Sequence, residues 1–159
     1  MDGSPPLPVA EFAFPGPLRD KLVAAVLAGR KTTTTSLRVE YDMEGDPLPL
    51  VGARQLVVDS LARPVAVIET VTVEQARLGS VSWAHASCEG EEHTDLQQWR
   101  NDHEAFWHGQ SMREFLRDPG FTVDDETPVV LERFRVVEFL PDPPGTTGKA
   151  SPTSRSATD

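Results

Sequence analysis

The sequence predicts an α+β fold, and three observations carry that prediction. An apolar helical face near the start is followed at once by a threonine-rich run; valine-rich segments fill residues 54–59 and 64–73; and an aromatic segment of helical period separates these from a last valine- and phenylalanine-rich stretch. Strands at both ends with helices between them call for α+β layering, and a small mixed barrel or curled sheet is the natural way to use them.

Gly16 and Pro17 suit a helix cap and first position, while Leu18, Leu22, Ala25 and Val26 fall on one face before Gly29, so a short helix is expected over residues 17–28. Residues 31–37 are β-branched enough to extend. A loop over residues 44–52, marked by Pro47, Pro49 and two glycines, precedes strands at 54–59 and 64–73 with a turn at 60–63. Leu96, Trp99, His103, Phe106 and Trp107 recur at helical intervals, giving a helix over about residues 94–116. Residues 128–139 read as a closing strand. Pro, Gly, Ser and Thr occupy 13 of the 19 positions from 141 to 159, so that tail is expected to be disordered.

The formal net charge is −10, from 25 acidic residues against 15 Lys and Arg, and this disfavours broad electrostatic capture of nucleic acid. Charge is uneven: Arg19, Lys21, Arg30, Lys31 and Arg38 against Asp2, Glu11 and Asp20 give residues 1–38 a balance of 5 − 3 = +2. Cys88 is the sole cysteine, which excludes an intrachain disulfide. With no signal-like N-terminus and no apolar run of membrane-spanning length, a cytoplasmic protein with no membrane partner is expected.

Several motifs compete for the chemistry. Gly29-Arg30-Lys31-Thr32 resembles the end of a phosphate-binding loop, but Arg30 stands where that motif needs glycine and the order is helix into strand, so the NTPase reading is rejected. Lys31 followed by Thr32, Thr33, Thr34, Thr35 and Ser36 concentrates an amine and hydroxyls at one junction, which as composition alone also suits an exposed edge strand. Glu69 falls in line with Val65, Val67, Val71 and Val73 at strand period, placing a carboxylate in an apolar row as a binding group or as the structural partner of a buried Arg. His85, Cys88, Glu89, Glu92 and His93 match no standard metal-ligand spacing, so no metal site is expected. Trp99, Phe106 and Trp107 read as core before they read as a base-stacking platform.

Taken in order, Leu27-Ala28-Gly29-Arg30-Lys31-Thr32, then Thr34, Val67-Ile68-Glu69, and His85-Ala86-Ser87-Cys88-Glu89 with the Trp-containing helix resemble the ASCH domain family. The resemblance divides the chain into an N-terminal extension (1–13), the domain (14–140) and the tail (141–159), and implies a PUA-like β-barrel with flanking helices. Compact bacterial members remove the acyl group from N4-acetylcytidine with a Lys, a Thr and a Glu. By motif these are Lys31, Thr34 and Glu89, with Arg30, Thr32, Ser36 and Glu69 as substrate-binding candidates. The compact enzymes carry an arginine where this chain has Ser36, and they lack the loop at 40–52 and the insertion between Glu89 and Pro128.

On this reading Thr34 is the nucleophile, Lys31 its base and Glu89 the group that orients the site, without metal or cofactor. Positions three apart on a strand point to opposite faces, so an irregularity between Lys31 and Thr34 is expected. The alternative is an RNA-binding module, regulatory or ribonucleolytic, in which Lys31 meets phosphate; no pair of histidines stands where cleavage would need one. The ligand is in either case a nucleoside or an RNA, and no obligate protein partner is evident.

Overall fold

A computed structural model describes residues 7–141. In chain order the elements are β1 (Val9–Ala10), α1 (Pro17–Leu27), β2 (Thr33–Leu37), α2 (Arg38–Glu44), β3 (Arg54–Val58), β4 (Pro64–Arg77), a 3-10 turn (Leu78–Ser80), α3 (Trp83–Ser87), α4 (Leu96–Trp107), α5 (Gln110–Leu116) and β5 (Pro128–Phe139). The strands form one sheet in the order β1-β3-β4-β5-β2, parallel only between β1 and β3. Its edges, β1 and β2, do not pair with each other, so among the described residues the sheet stays open where a closed barrel was expected.

The long β4–β5 ladder is the frame, and its register shifts between Val67 and Ile68 and again between Thr70 and Thr72. One core gathers Phe12, Leu22, Val23, Val26, Ile68 and Phe134 beneath α1. The other gathers Leu37, Leu131, Trp99, Trp107 and Met112 beneath α4 and α5. Trp99 and Trp107 are both buried, as the core reading of the aromatic spacing required.

The structure corrects several expectations. Val9–Ala10 pairs with β3, and Ala10 and Phe12 are buried, so these residues of the segment assigned from sequence to an N-terminal extension pack on the sheet. The helix expected over 94–116 is two: His108 ends α4 and Gly109 begins α5 with extended backbone. Residues 40–44, taken as part of a loop, lie in α2, where Glu40 accepts the Leu37 N–H at 2.9 Å and Gly45, at φ 69°, closes the helix in the left-handed region. Of the tail, residues 142–159 lie outside the described residues. No described helix is long and apolar enough to cross a membrane.

Candidate active site

The segment 30–35 and the segment 85–90 are fastened together backbone to backbone. Thr32 N and Thr33 N both donate to Cys88 O, at 2.8 and 3.2 Å, and Thr33 Oγ1 donates to His85 O at 2.8 Å. Gly90, at φ 77°, crosses so near the Arg30–Lys31 peptide that a Cβ there would lie 2.8 Å from Arg30 O. Only glycine permits that approach, and it delivers Glu89 beside Lys31.

Lys31 and Glu89 are 2% and 1% exposed. The Lys31 ammonium donates to Thr33 O at 2.8 Å and lies 3.5 Å from Glu89 Oε1. Glu89 Oε1 also faces His103 Nε2 at 3.2 Å, and Oε2 receives the Thr35 hydroxyl at 2.6 Å. Thr35 has one hydrogen and gives it to Glu89, so His85 Nε2, 2.9 Å from Thr35 Oγ1, is the donor in that contact. His103 Nδ1 faces Trp99 O at 2.9 Å, an acceptor, while Nε2 faces a carboxylate. Both ring nitrogens therefore carry hydrogen, and His103 is an imidazolium stacked on Trp99 at 4.2 Å.

The electrostatics agree. Burial opposes ionisation of Glu89, yet the Lys31 charge and then the His103 and His85 hydrogen bonds outweigh it and hold the carboxyl well below its ordinary range. Burial likewise pulls His103 down, and the bond and charge of Glu89, with Glu91 and Trp99 O, lift it above the ordinary imidazole value. Glu89, Glu91 and His103 offer ligand atoms within 4.8 Å of one another and are the residues that could hold a metal ion. The Lys31 ammonium and His103 Nε2 both contact Glu89 Oε1, at 3.5 and 3.2 Å.

A cavity of about 760 Å³ opens beside this network, lined by Lys31, Thr34, Thr35, Ser36, Glu89 and His103 on one side. Phe14, Tyr41, Phe106, Glu132 and Phe134 contribute to the rest. On α2, burial lifts the Glu40 carboxyl to about 6 against the bond from Leu37 N, with Glu44 adding to the rise. Burial and the nearby Glu132 charge lift the Tyr41 phenol to about 12, against its bond with Ser36.

The sequence candidates separate. Lys31 and Glu89 meet, and Arg30, Thr34 and Ser36 line the same cavity, whereas Thr32 lines a different recess beside Phe134 and Val136. Thr35, not Thr34, holds the hydroxyl on Glu89. The backbone irregularity expected between Lys31 and Thr34 lies ahead of β2, where two consecutive N–H groups converge on Cys88 O; β2 itself pairs with β5 in unbroken register. Glu69 does not line the cavity. It is ion-paired with Arg135 at 2.6 Å and Arg54 at 3.7 Å: Ala66, Ile68 and Thr70 of β4 are buried, whereas in the row of Glu69 Val67 is buried but Val71 is exposed. Sequence reasoning missed Thr35, His85 and His103 as partners of Glu89. The i, i+4 spacing of His85 and Glu89, and His103 between two buried tryptophans, were the available signals.

An open mixed sheet flanked by helices, with a buried lysine–glutamate pair at a cavity, defines an α+β domain. The model of the ASCH domain matches residues 11–138, and the chain belongs to that family. The chain is similar to the ASCH domain of Lactobacillus crispatus JV V101, with 26% identity and a TM-score of 0.71, covering 83% of this chain and 80% of that one. It is also similar to protein EF3133 from Enterococcus faecalis V583, with 28% identity and a TM-score of 0.73, covering 87% and 80%. No curated protein matches it.

Proposed function

We propose that this ASCH domain is a small amidohydrolase that removes the acyl group from a modified nucleoside such as N4-acetylcytidine, with Lys31, Thr34 and Glu89 at the reacting centre and neither metal nor cofactor required. The observation that carries the reading is the buried Lys31–Glu89 pair at the wall of a cavity roomy enough for a nucleoside. Arg30 and Ser36, on the same cavity, are the candidates for contacting the sugar or base.

The chemistry has three parts. A threonine hydroxyl attacks the acyl carbon, the C–N bond breaks, and the exocyclic amine leaves with a proton; water then cleaves the acyl-threonine ester and restores the hydroxyl. Lys31, held between Thr33 O and Glu89, faces the cavity as the charge that steadies the oxyanion, and to take the hydroxyl proton as base it first passes one of its own protons to Glu89. Glu89 keeps Lys31 in place and links it to His103. Thr35 competes with Thr34 as nucleophile on one observation, the 2.6 Å bond that already directs its proton to Glu89.

The alternative, an RNA-binding module, meets an unfavourable charge. Of the residues lining the cavity, nine are Asp or Glu and three, Lys21, Arg30 and Lys31, are Lys or Arg, which repels phosphate. The test is release of cytidine from N4-acetylcytidine, followed by chromatography, in the wild type and in Lys31→Ala, Thr34→Ala, Thr35→Ala and Glu89→Ala. Turnover by the wild type that falls at least a hundredfold in Lys31→Ala, Glu89→Ala and one threonine variant supports the reading. A folded wild type that leaves the substrate intact across pH 5–9 sinks it and turns the question to salt-dependent RNA binding.

A further inference from the structure

Glu132 is a buried carboxyl of the cavity that the proposed chemistry does not use. It is 8% exposed, no described cation lies within ion-pair distance of it, and its hydrogen bonding among the described residues amounts to one long contact, 3.4 Å, from Thr70 Oγ1. A carboxyl this buried with so few protein donors is costly unless it keeps a proton or receives donors from the cavity it lines, from water or from a ligand that displaces it. Burial does push Glu132 above the ordinary carboxylate range, with the Thr70 bond and the Lys31 charge only partly opposing it.

Its neighbours suit a flat ring. Thr34 is its register partner across the β2–β5 pair, so the two side chains share a face. Phe134 follows at the next position of that face and packs with Phe12, their ring centroids 5.8 Å apart, and both line the cavity. The Lys31 ammonium stands 5.5 Å from the centre of the Phe12 ring, so the reacting end and the ring-holding end of the cavity adjoin.

Resting on the acylated-nucleoside reading, we propose that Glu132 is the specificity-determining residue that binds the amidine edge of the base, the ring nitrogen and the adjacent acylated N–H, through two parallel hydrogen bonds. The carboxyl O–H donates to the ring nitrogen and its C=O accepts the amide N–H. This pairing satisfies both oxygens of a group the protein leaves nearly unsatisfied, and it sets the scissile amide toward Lys31 and Thr34. A ligand with the ring nitrogen replaced by C–H strands the O–H in a buried site.

The test compares N4-acetylcytidine with its 3-deaza analogue on the wild type, Glu132→Gln and Glu132→Leu, using KM and kcat for turnover and calorimetry for binding. A good bidentate pair to a base discriminates by roughly tenfold to a hundredfold. The wild type is expected to prefer N4-acetylcytidine by at least tenfold in KM and in Kd; Glu132→Gln, whose amide offers the same N–H and C=O, keeps the preference; Glu132→Leu erases it in Kd and, with the scissile amide no longer set toward Lys31 and Thr34, lowers kcat as well. Equal affinity of the wild type for the two nucleosides, which involves no variant and no question of folding, overturns the proposal, as does a preference that survives in Glu132→Leu. Should the wild type bind but not turn over N4-acetylcytidine, the amidohydrolase reading fails alone, and the binding preference still decides the role of Glu132.

Discussion

Glu89 and Glu132 flank the same edge strand and feel the same lysine, yet the more deeply buried of the two, Glu89, is the one whose carboxyl is lowered, while Glu132 is raised. Glu89 meets Thr35 on one face of β2 and is surrounded by Lys31, His85 and His103; Glu132 shares the opposite face with Thr34 and has one weak donor in Thr70. Depth alone therefore does not decide ionisation here. The number of donors does: several hold Glu89 as a carboxylate, and the near absence of them favours the proton on Glu132.

The widest break in this comparison is Glu89→Ala. It leaves the Lys31 ammonium and the His103 imidazolium buried without their counter-charge, so a loss of about 3–5 kcal/mol in denaturant unfolding is expected. The pH dependence has a defined sign. Because the folded pKa of Glu89 is lowered, its stabilisation is present above the unfolded carboxylate value and is lost as pH falls through the low folded value. His103 is raised, so its contribution is present below the unfolded imidazole value and is lost as pH rises through the folded one. Unfolding curves that stay flat from pH 5 to 9 in the wild type would count against the imidazolium.

Next in size is the pair Thr35→Val and Thr34→Val. Thr35→Val strands a bond to each of Glu89 and His85 and should cost about 1–3 kcal/mol. Thr34→Val, a hydroxyl at the cavity wall, should shift stability by less than about 0.5 kcal/mol while turnover disappears if Thr34 is the nucleophile. Opposite rankings in stability and in activity would separate a structural hydroxyl from a reacting one.

A further effect, confined to one pH range, is on α2. Glu40 is raised from 4.5 to about 6, so its charge is disfavoured in the folded state and stability falls as pH climbs through that interval. Glu40→Gln, which can still accept the Leu37 N–H, should stabilise by about 1–2 kcal/mol above pH 6 and change nothing below 4.5, measured by thermal unfolding. Equal stability of the two proteins at pH 8 would remove the desolvation argument for this wall of the cavity.

The regular elements were legible where the sequence itself is periodic and punctuated: α1 between Pro17 and Gly29, β3, and β5 with both its ends. Others depend on what lies far away in the chain. The two residues of β1 extend only because β3 offers an edge, and α2 begins after Leu37, whose side chain can accept no capping bond. In the site, the residue types at positions 31, 34 and 89 were legible through resemblance. The shift to Thr35, and the roles of His85 and His103, follow from how two segments dock, which no local pattern encodes. Of the two readings of Glu69, the structure shows the partner of arginine, with Arg135 and Arg54 exposed rather than buried.

The docking of segment 30–35 on segment 85–90 carries a consequence for how the protein reaches its native state. Lys31 and Glu89 stand 58 residues apart in the chain, and the Thr70–Glu132 contact spans 62. No hairpin or single helix contains a working fraction of this centre, so loop-closure entropy must be met before any of it forms. Recovery of ligand binding during refolding should then lag the recovery of helical signal, making the site a clock for the last step of assembly rather than the first.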